Sequence, residues 1–144
     1  WGAITFHYGR WASIDGAWTW EMRIHPTATT PARTARGAYR LQTKGFSVWM
    51  HRTGEEPMPY LTFDAFQRRW VLSMIDRLSY GIITGRGWQD QAATFEGTMT
   101  FMGVDLEMRQ TWHRHGDNEV RIINEERLDG DWRVIDEIIC MRSL

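Results

Sequence analysis

Six charged residues fall inside segments that alternate apolar and polar side chains, away from turns: Glu21, Arg86, Glu107, Arg109, Glu125 and Glu137. His51 stands near the end of another such segment, and His113 closes the one that carries Arg109. A charge taken out of water without a partner is very costly, so any of these that face an interior must pair. Paired Arg and Glu beside an imidazole and tryptophan can polarise a carbonyl and move a proton. That is the arrangement of a cofactor-free cyclase, isomerase or lyase acting on a polyketide- or terpene-like substrate. Glu21, Arg109, His113, Glu125 and Glu137 are its candidate catalytic groups. The competing reading is that these charges form cross-strand pairs on a wet outer face.

The second source of chemistry is aromatic. The chain carries 9 Trp and 8 Met. Trp18, Trp20, Trp49, Trp70, Trp88, Trp112 and Trp132 can stack on a flat apolar ligand; ordinary core packing is the alternative, with Met filling irregular gaps. Trp20, Met74, Trp88 and Trp112 are the expected apolar contacts of a ligand, and His51, Arg86 and Glu107 the polar ones. His113-x-His115 places two imidazoles on one strand face, about 7 Å apart. A metal there needs a third ligand, from Glu107 or Asp117; otherwise the pair is a solvated strand end beside Gly116-Asp117-Asn118. Haem needs an axial ligand in an open pocket, and His51 and His113 are the candidates, neither within a specific motif. The expectation is no metal and no cofactor. Gly85-Arg86-Gly87 precedes no helix and is no phosphate loop; nucleophile-elbow and metalloprotease motifs are absent. Cys140, the single cysteine, lies among Ile138, Ile139 and Met141 and reads as a buried, inert thiol rather than a nucleophile. It forms no intrachain disulfide, so nothing demands an oxidising compartment.

These groups must be positioned by strands. Alternation with period two recurs along the chain, and no window gives an amphipathic helix. The first clear strand covers 17–25, with Trp18, Trp20, Met22 and Ile24 on one face and Thr19, Glu21, Arg23 and His25 on the other. Residues 1–8 read as a short strand or a lid. The Thr-, Ala- and Pro-rich segment 27–34 reads as a loop. Residues 37–41 and 46–52 form a hairpin across 43–45, and 54–59 is a second loop. Residues 60–64 and 70–76 pair across 65–69, and 79–81 turns the chain into 82–88. A meander follows: 98–101, 106–113, 120–128 and 132–141, joined at Gly103, at 116–118 and at 129–131. A short helix has room only in 8–14 or 64–69.

About ten strands with regular turns predict an all-β protein. An open sheet of that many long strands would expose two edges that invite aggregation, and closure removes them. The expected fold is therefore a single antiparallel up-and-down barrel over 1–144. In 106–113, Leu106, Met108, Gln110 and Trp112 alternate with Glu107, Arg109, Thr111 and His113; either face can be the inner one.

Composition narrows the partners. A chain of 144 residues is one domain. Lys44 is the only lysine among 17 Lys and Arg, and the net charge is -1. That removes the electrostatic case for nucleic acid or an anionic membrane, and no stretch approaches the ~18 apolar residues of a membrane helix. No signal-peptide pattern is present, so the expected location is cytoplasmic; the first residue is Trp1 rather than Met, so further residues are expected before it.

Three motifs also resemble a known group. Gly16-Ala17-Trp18-Thr19-Trp20-Glu21 is similar to the opening G-x-W strand of calycin-like barrels. Residues 70–76, Gly81, Gly85-Arg86-Gly87-Trp88 and Phe95-Glu96-Gly97 resemble the middle of a bacterial family of uncharacterised lipocalin-like proteins. Glu125-Glu126-Arg127-Leu128-Asp129-Gly130-Asp131-Trp132, with a strand ending in Met141-Arg142, resembles its end. The resemblance spans 16–142. It implies a ten-stranded lipocalin-like barrel, with nitrobindin-like haem proteins and fatty-acid-binding proteins as distant structural relatives, and it implies no activity. The leading expectation is a protein that holds a small apolar or aromatic molecule in its barrel. The enzyme described above is the alternative, and a ligand-free homodimer module is the third.

Overall fold

The computed structural model of the chain describes residue 11, residues 13–28 and residues 31–143. Its strands are β1 (Gly16–Ile24), β2 (Arg33–Lys44), β3 (Ser47–His51), β4 (Met58–Asp64), β5 (Arg69–Ile75), β6 (Ser79–Gly85), β7 (Trp88–Gln89), β8 (Ala92–Phe101), β9 (Val104–Arg114), β10 (Glu119–Leu128) and β11 (Asp131–Arg142). Each long strand pairs antiparallel with the next, β6 passes directly to β8, and β11 closes onto β1. The result is a closed up-and-down barrel of ten strands. The two-residue β7 is an appendage of β8.

Several boundaries differ from the sequence reading. β2 begins at Arg33, inside the expected loop, because β1 runs to Ile24 and Ile24 pairs with Arg33. The partner strand is drawn out by backbone pairing that its own Thr/Ala/Arg composition does not announce. Residues 79–81 are strand, and the turn lies earlier. There the Asp76 carboxylate accepts from Leu78 N at 2.8 Å and Ser79 N at 2.9 Å, an Asx turn. Residues 65–68 form a turn rather than a helix; Asp64 accepts from Phe66 N and Gln67 N. The expected strand or lid over 1–8 lies outside the described residues, as does most of the other helix candidate, 8–14.

The inner face is the more apolar one on most long strands; β6 is the exception, with Gly81, Ile83 and Gly85 inside and Tyr80 and Ile82 exposed. On β9, Met108, Gln110 and Trp112 are buried while Glu107 is exposed and Arg109, Thr111 and His113 occupy the alternate, outer row. A full row of charges turned inward would lose much of its hydration, so closure selects the face that sums to apolar over all strands.

One end of the barrel is filled. Trp11, wholly buried, sits among Trp88, Trp112, Trp70 and Phe95, with ring centroids 4.8, 5.4, 5.7 and 5.9 Å away. The residues that follow it are tied down. Trp18 donates from its indole to Ile14 O at 2.8 Å, and Asp15 accepts from the Thr43 amide and hydroxyl, both at 2.9 Å. Arg142 lies over the Trp18 ring at 4.4 Å and donates to Ser13 O. At the far end are the connections after β1, β3, β5, β8 and β10. No described helix is long and apolar enough to cross a membrane.

Candidate functional site

Three neighbouring strands place amides and an acid side by side on the inner wall. Gln110 of β9 pairs in register with Asn124 of β10, and Asn124 with Asp136 of β11. Their side chains form one row: Trp112 Nε1 donates to Gln110 Oε1 at 2.7 Å, Gln110 Nε2 to Asn124 Oδ1 at 2.8 Å, and Asn124 Nδ2 to Asp136 Oδ1 at 2.7 Å. Gln110 and Asn124 are only 2% and 3% exposed. An indole N–H can only donate, so Trp112 sets the orientation of both amides and leaves Asp136 as the terminal acceptor. Gln110 Nε2 also lies 3.9 Å from Met74 Sδ.

A β-bulge aims the acid. The register between β10 and β11 shifts after Asn124: Asn124 faces Asp136, but Glu125 faces Val134. Ile135 is the extra residue, and its carbonyl accepts from His25 N at 2.9 Å. Bulges recur where a strand must re-aim a side chain. Burial pushes the Asp136 carboxyl above its ordinary range; the Asn124 hydrogen bond and nearby His25 pull it down, and Glu137 adds to the rise.

Around this row the wall is aromatic and sulfur-rich. Trp20, Tyr39, Met58, Tyr60, Met74 and Ile138 are partly buried against the core. Trp20 lies flat over Gly37, where a Cβ would come within 2.5 Å of the ring, so only glycine admits that pose. Tyr39 donates to Cys140 Sγ at 3.4 Å. Burial, reinforced by Cys140, raises both the Tyr39 and Tyr60 phenols, and burial raises the Cys140 thiol. Cys140 is buried, as its apolar neighbours predict. Tyr39 and Tyr60 are half-buried on this wall.

The sequence-derived residues divide by face. Trp20, Met74, Trp88 and Trp112 are inside, although Trp88 belongs to the filled end, 4.8 Å from Trp11. The expectation that Glu21, Arg109, His113, Glu125 and Glu137 gather inside is corrected: each alternates with an inward residue and so occupies the outer row. Glu21 pairs there with Arg23 at 3.3 Å and Arg36 at 3.4 Å, beside a shallow outer depression of about 600 Å³. Arg109 and Glu125 form a bidentate pair at 3.0 and 2.9 Å, with Arg109 4.4 Å above the Trp132 ring. Glu137 lies 3.8 Å from His25. His113 alternates with Trp112, opposite Ala92 and Arg121. Among the ligand-contact expectations, His51 faces outward beside Gln42 at 3.1 Å, and Glu107 pairs with Arg127 at 3.6 Å on the outer wall. Arg86 is exposed in the connection before β7. On the outer face water offsets the desolvation that an interior would impose. His51 and His113 both lie on the outer row, and among the described residues no three His, Cys, Asp or Glu gather as a metal site.

The polar row itself, with Tyr39 and Tyr60, went unrecognised in the sequence. Its signal was present: Gln110 interrupts the row of Met108 and Trp112, and Asn124 the row of Val120 and Ile122.

Fold and interior together define a closed, up-and-down antiparallel barrel with buried aromatic residues, an architecture consistent with calycin- and lipocalin-like barrels. No protein-family model matches the chain, and comparison with curated proteins finds no match.

The outer position of the Arg109–Glu125 pair has a measurable consequence. Arg109→Ala is expected to cost about 1 kcal/mol of stability in chemical denaturation and to leave binding in the barrel unchanged. A large loss of affinity without loss of stability would return the pair to the site.

Proposed function

We propose that this protein binds a small, largely apolar or aromatic molecule inside the barrel, at the end opposite Trp11. The observation that carries this reading is the partly accessible inner wall of Trp20, Tyr39, Met58, Tyr60 and Met74, arranged around a fixed polar row. Ligand sites are mostly apolar with few, well-placed polar groups, and this wall has that make-up.

The test is a titration of intrinsic tryptophan fluorescence with N-phenyl-1-naphthylamine, a neutral aromatic probe. Saturable one-to-one quenching is expected. Met74→Trp, which fills the recess, is expected to weaken it about tenfold, since overpacking a lined space costs roughly 1–3 kcal/mol. Quenching that never saturates, or that ignores Met74→Trp, would sink the proposal.

A further inference from the structure

Asp136 is a carboxylate on the inner wall with one hydrogen-bond partner. Its Oδ1 accepts from Asn124; it makes no other hydrogen bond or ion pair among the described residues. The groups around it are accounted for. Ile24 faces it from β1 and Asn124 from β10. His25, on the β1–β2 connection, is exposed and stands beside Glu137. Glu126, on the inner row two residues past Asn124, is taken by Arg133. Asp136 is half-buried; apart from the Asn124 donor only His25 lies near enough to favour its charge, and no side chain among the described residues forms an ion pair with it. The row from Trp112 has one polarity, so it holds Asp136 as an acceptor and cannot supply a second donor by flipping.

Building on the reading of the barrel as a binding site, we propose that Asp136 anchors the ligand, and that the ligand is an amine. Its ammonium would sit on Asp136 and its apolar or aromatic body against Trp20, Tyr39, Tyr60 and Met74. An ammonium has donors and no acceptor, which suits a pure acceptor, and aromatic faces attract cations as well as apolar groups. The ligand would bring an ion-pair partner that no described side chain supplies to Asp136.

The experiment compares three probes of one shape by calorimetry: 2-naphthylmethylammonium, 2-naphthalenemethanol and 2-methylnaphthalene. The ammonium is expected to bind about tenfold or more tighter than the hydrocarbon. Asp136→Asn is expected to abolish that preference. Asn at 136 still accepts from Asn124 through its own oxygen, so it presents an N–H where the free carboxylate oxygen was. The variant should also be as stable as the parent or more so. A carboxyl whose folded pKa is raised loses stability as pH rises from its unfolded value through its folded one, and Asn escapes that loss. A merely structural aspartate would instead destabilise on replacement. Should the variant fail to fold, the unsubstituted protein gives the same answer: the ammonium's affinity falls as pH drops through the Asp136 titration, and the hydrocarbon's does not. Equal binding of all three probes, or tightest binding of the alcohol, overturns the amine assignment and leaves the binding function standing. Binding of none of the three removes the binding function itself.

Discussion

Trp11→Ala is expected to cost about 3–5 kcal/mol of folding stability, the usual range for removing a buried Trp side chain. Trp11 is fully buried and touches four aromatic rings from β5, the β7 appendage, β8 and β9. No neighbour can swing in to replace it, because Trp70, Phe95 and Trp112 are themselves packed without exposure beyond 2%. Against a net stability of roughly 5–15 kcal/mol for a domain, this is about a fifth of the total or more. Chemical denaturation measures the loss, and a red shift of tryptophan emission should accompany it as water enters among Trp70, Trp88 and Trp112. A loss below about 1 kcal/mol would mean that Trp11 does not seal the barrel.

Gln110→Leu is expected to cost about 2–5 kcal/mol, although leucine suits the apolar row. The loss comes from two orphaned groups, each worth roughly 1–3 kcal/mol when buried without a partner. Trp112 Nε1 loses its acceptor and Asn124 Oδ1 its donor. The effect should reach the site as well. Without Gln110 the Asn124 amide is free to turn, and Asp136 loses its fixed donor, so discrimination among polar probes should relax. Denaturation and the three-probe titration measure the two effects separately. A neutral or stabilising result would show that the row is dispensable for both packing and binding.

Much of the fold was legible because β structure writes itself locally. The alternation in 17–25 announces β1, and the turns at Gly116-Asp117-Asn118 and Asp129-Gly130 announce the last hairpins. The number of long strands made closure the natural solution, since two long edges would otherwise stand exposed. Less legible were elements whose existence depends on a partner. β2 extends to Arg33 because Ile24 needs a neighbour, and nothing in the Thr/Ala/Arg stretch signals it. The site was legible only in part. Trp20, Met74 and Trp112 are inside, while Glu21, Arg109, His113, Glu125 and Glu137 are on the outer row.

The sequence by itself determined two rows per strand, the approximate strand number and a closed all-β barrel, because side-chain alternation and turn chemistry act over a few residues. Which row faces inward was decided only by the tertiary structure. Closure compares the rows of all ten strands at once, and the face that is apolar in sum goes inside, carrying Gln110, Asn124 and Asp136 with it. Their meeting is also non-local. It depends on the register of three strands and on the bulge at Ile135, which are set by hydrogen bonds between residues distant in the chain. The charges of Glu21, Arg109, His113, Glu125 and Glu137 therefore belong to the outer wall, and the polar chemistry of the interior rests on an amide row ending at one carboxylate.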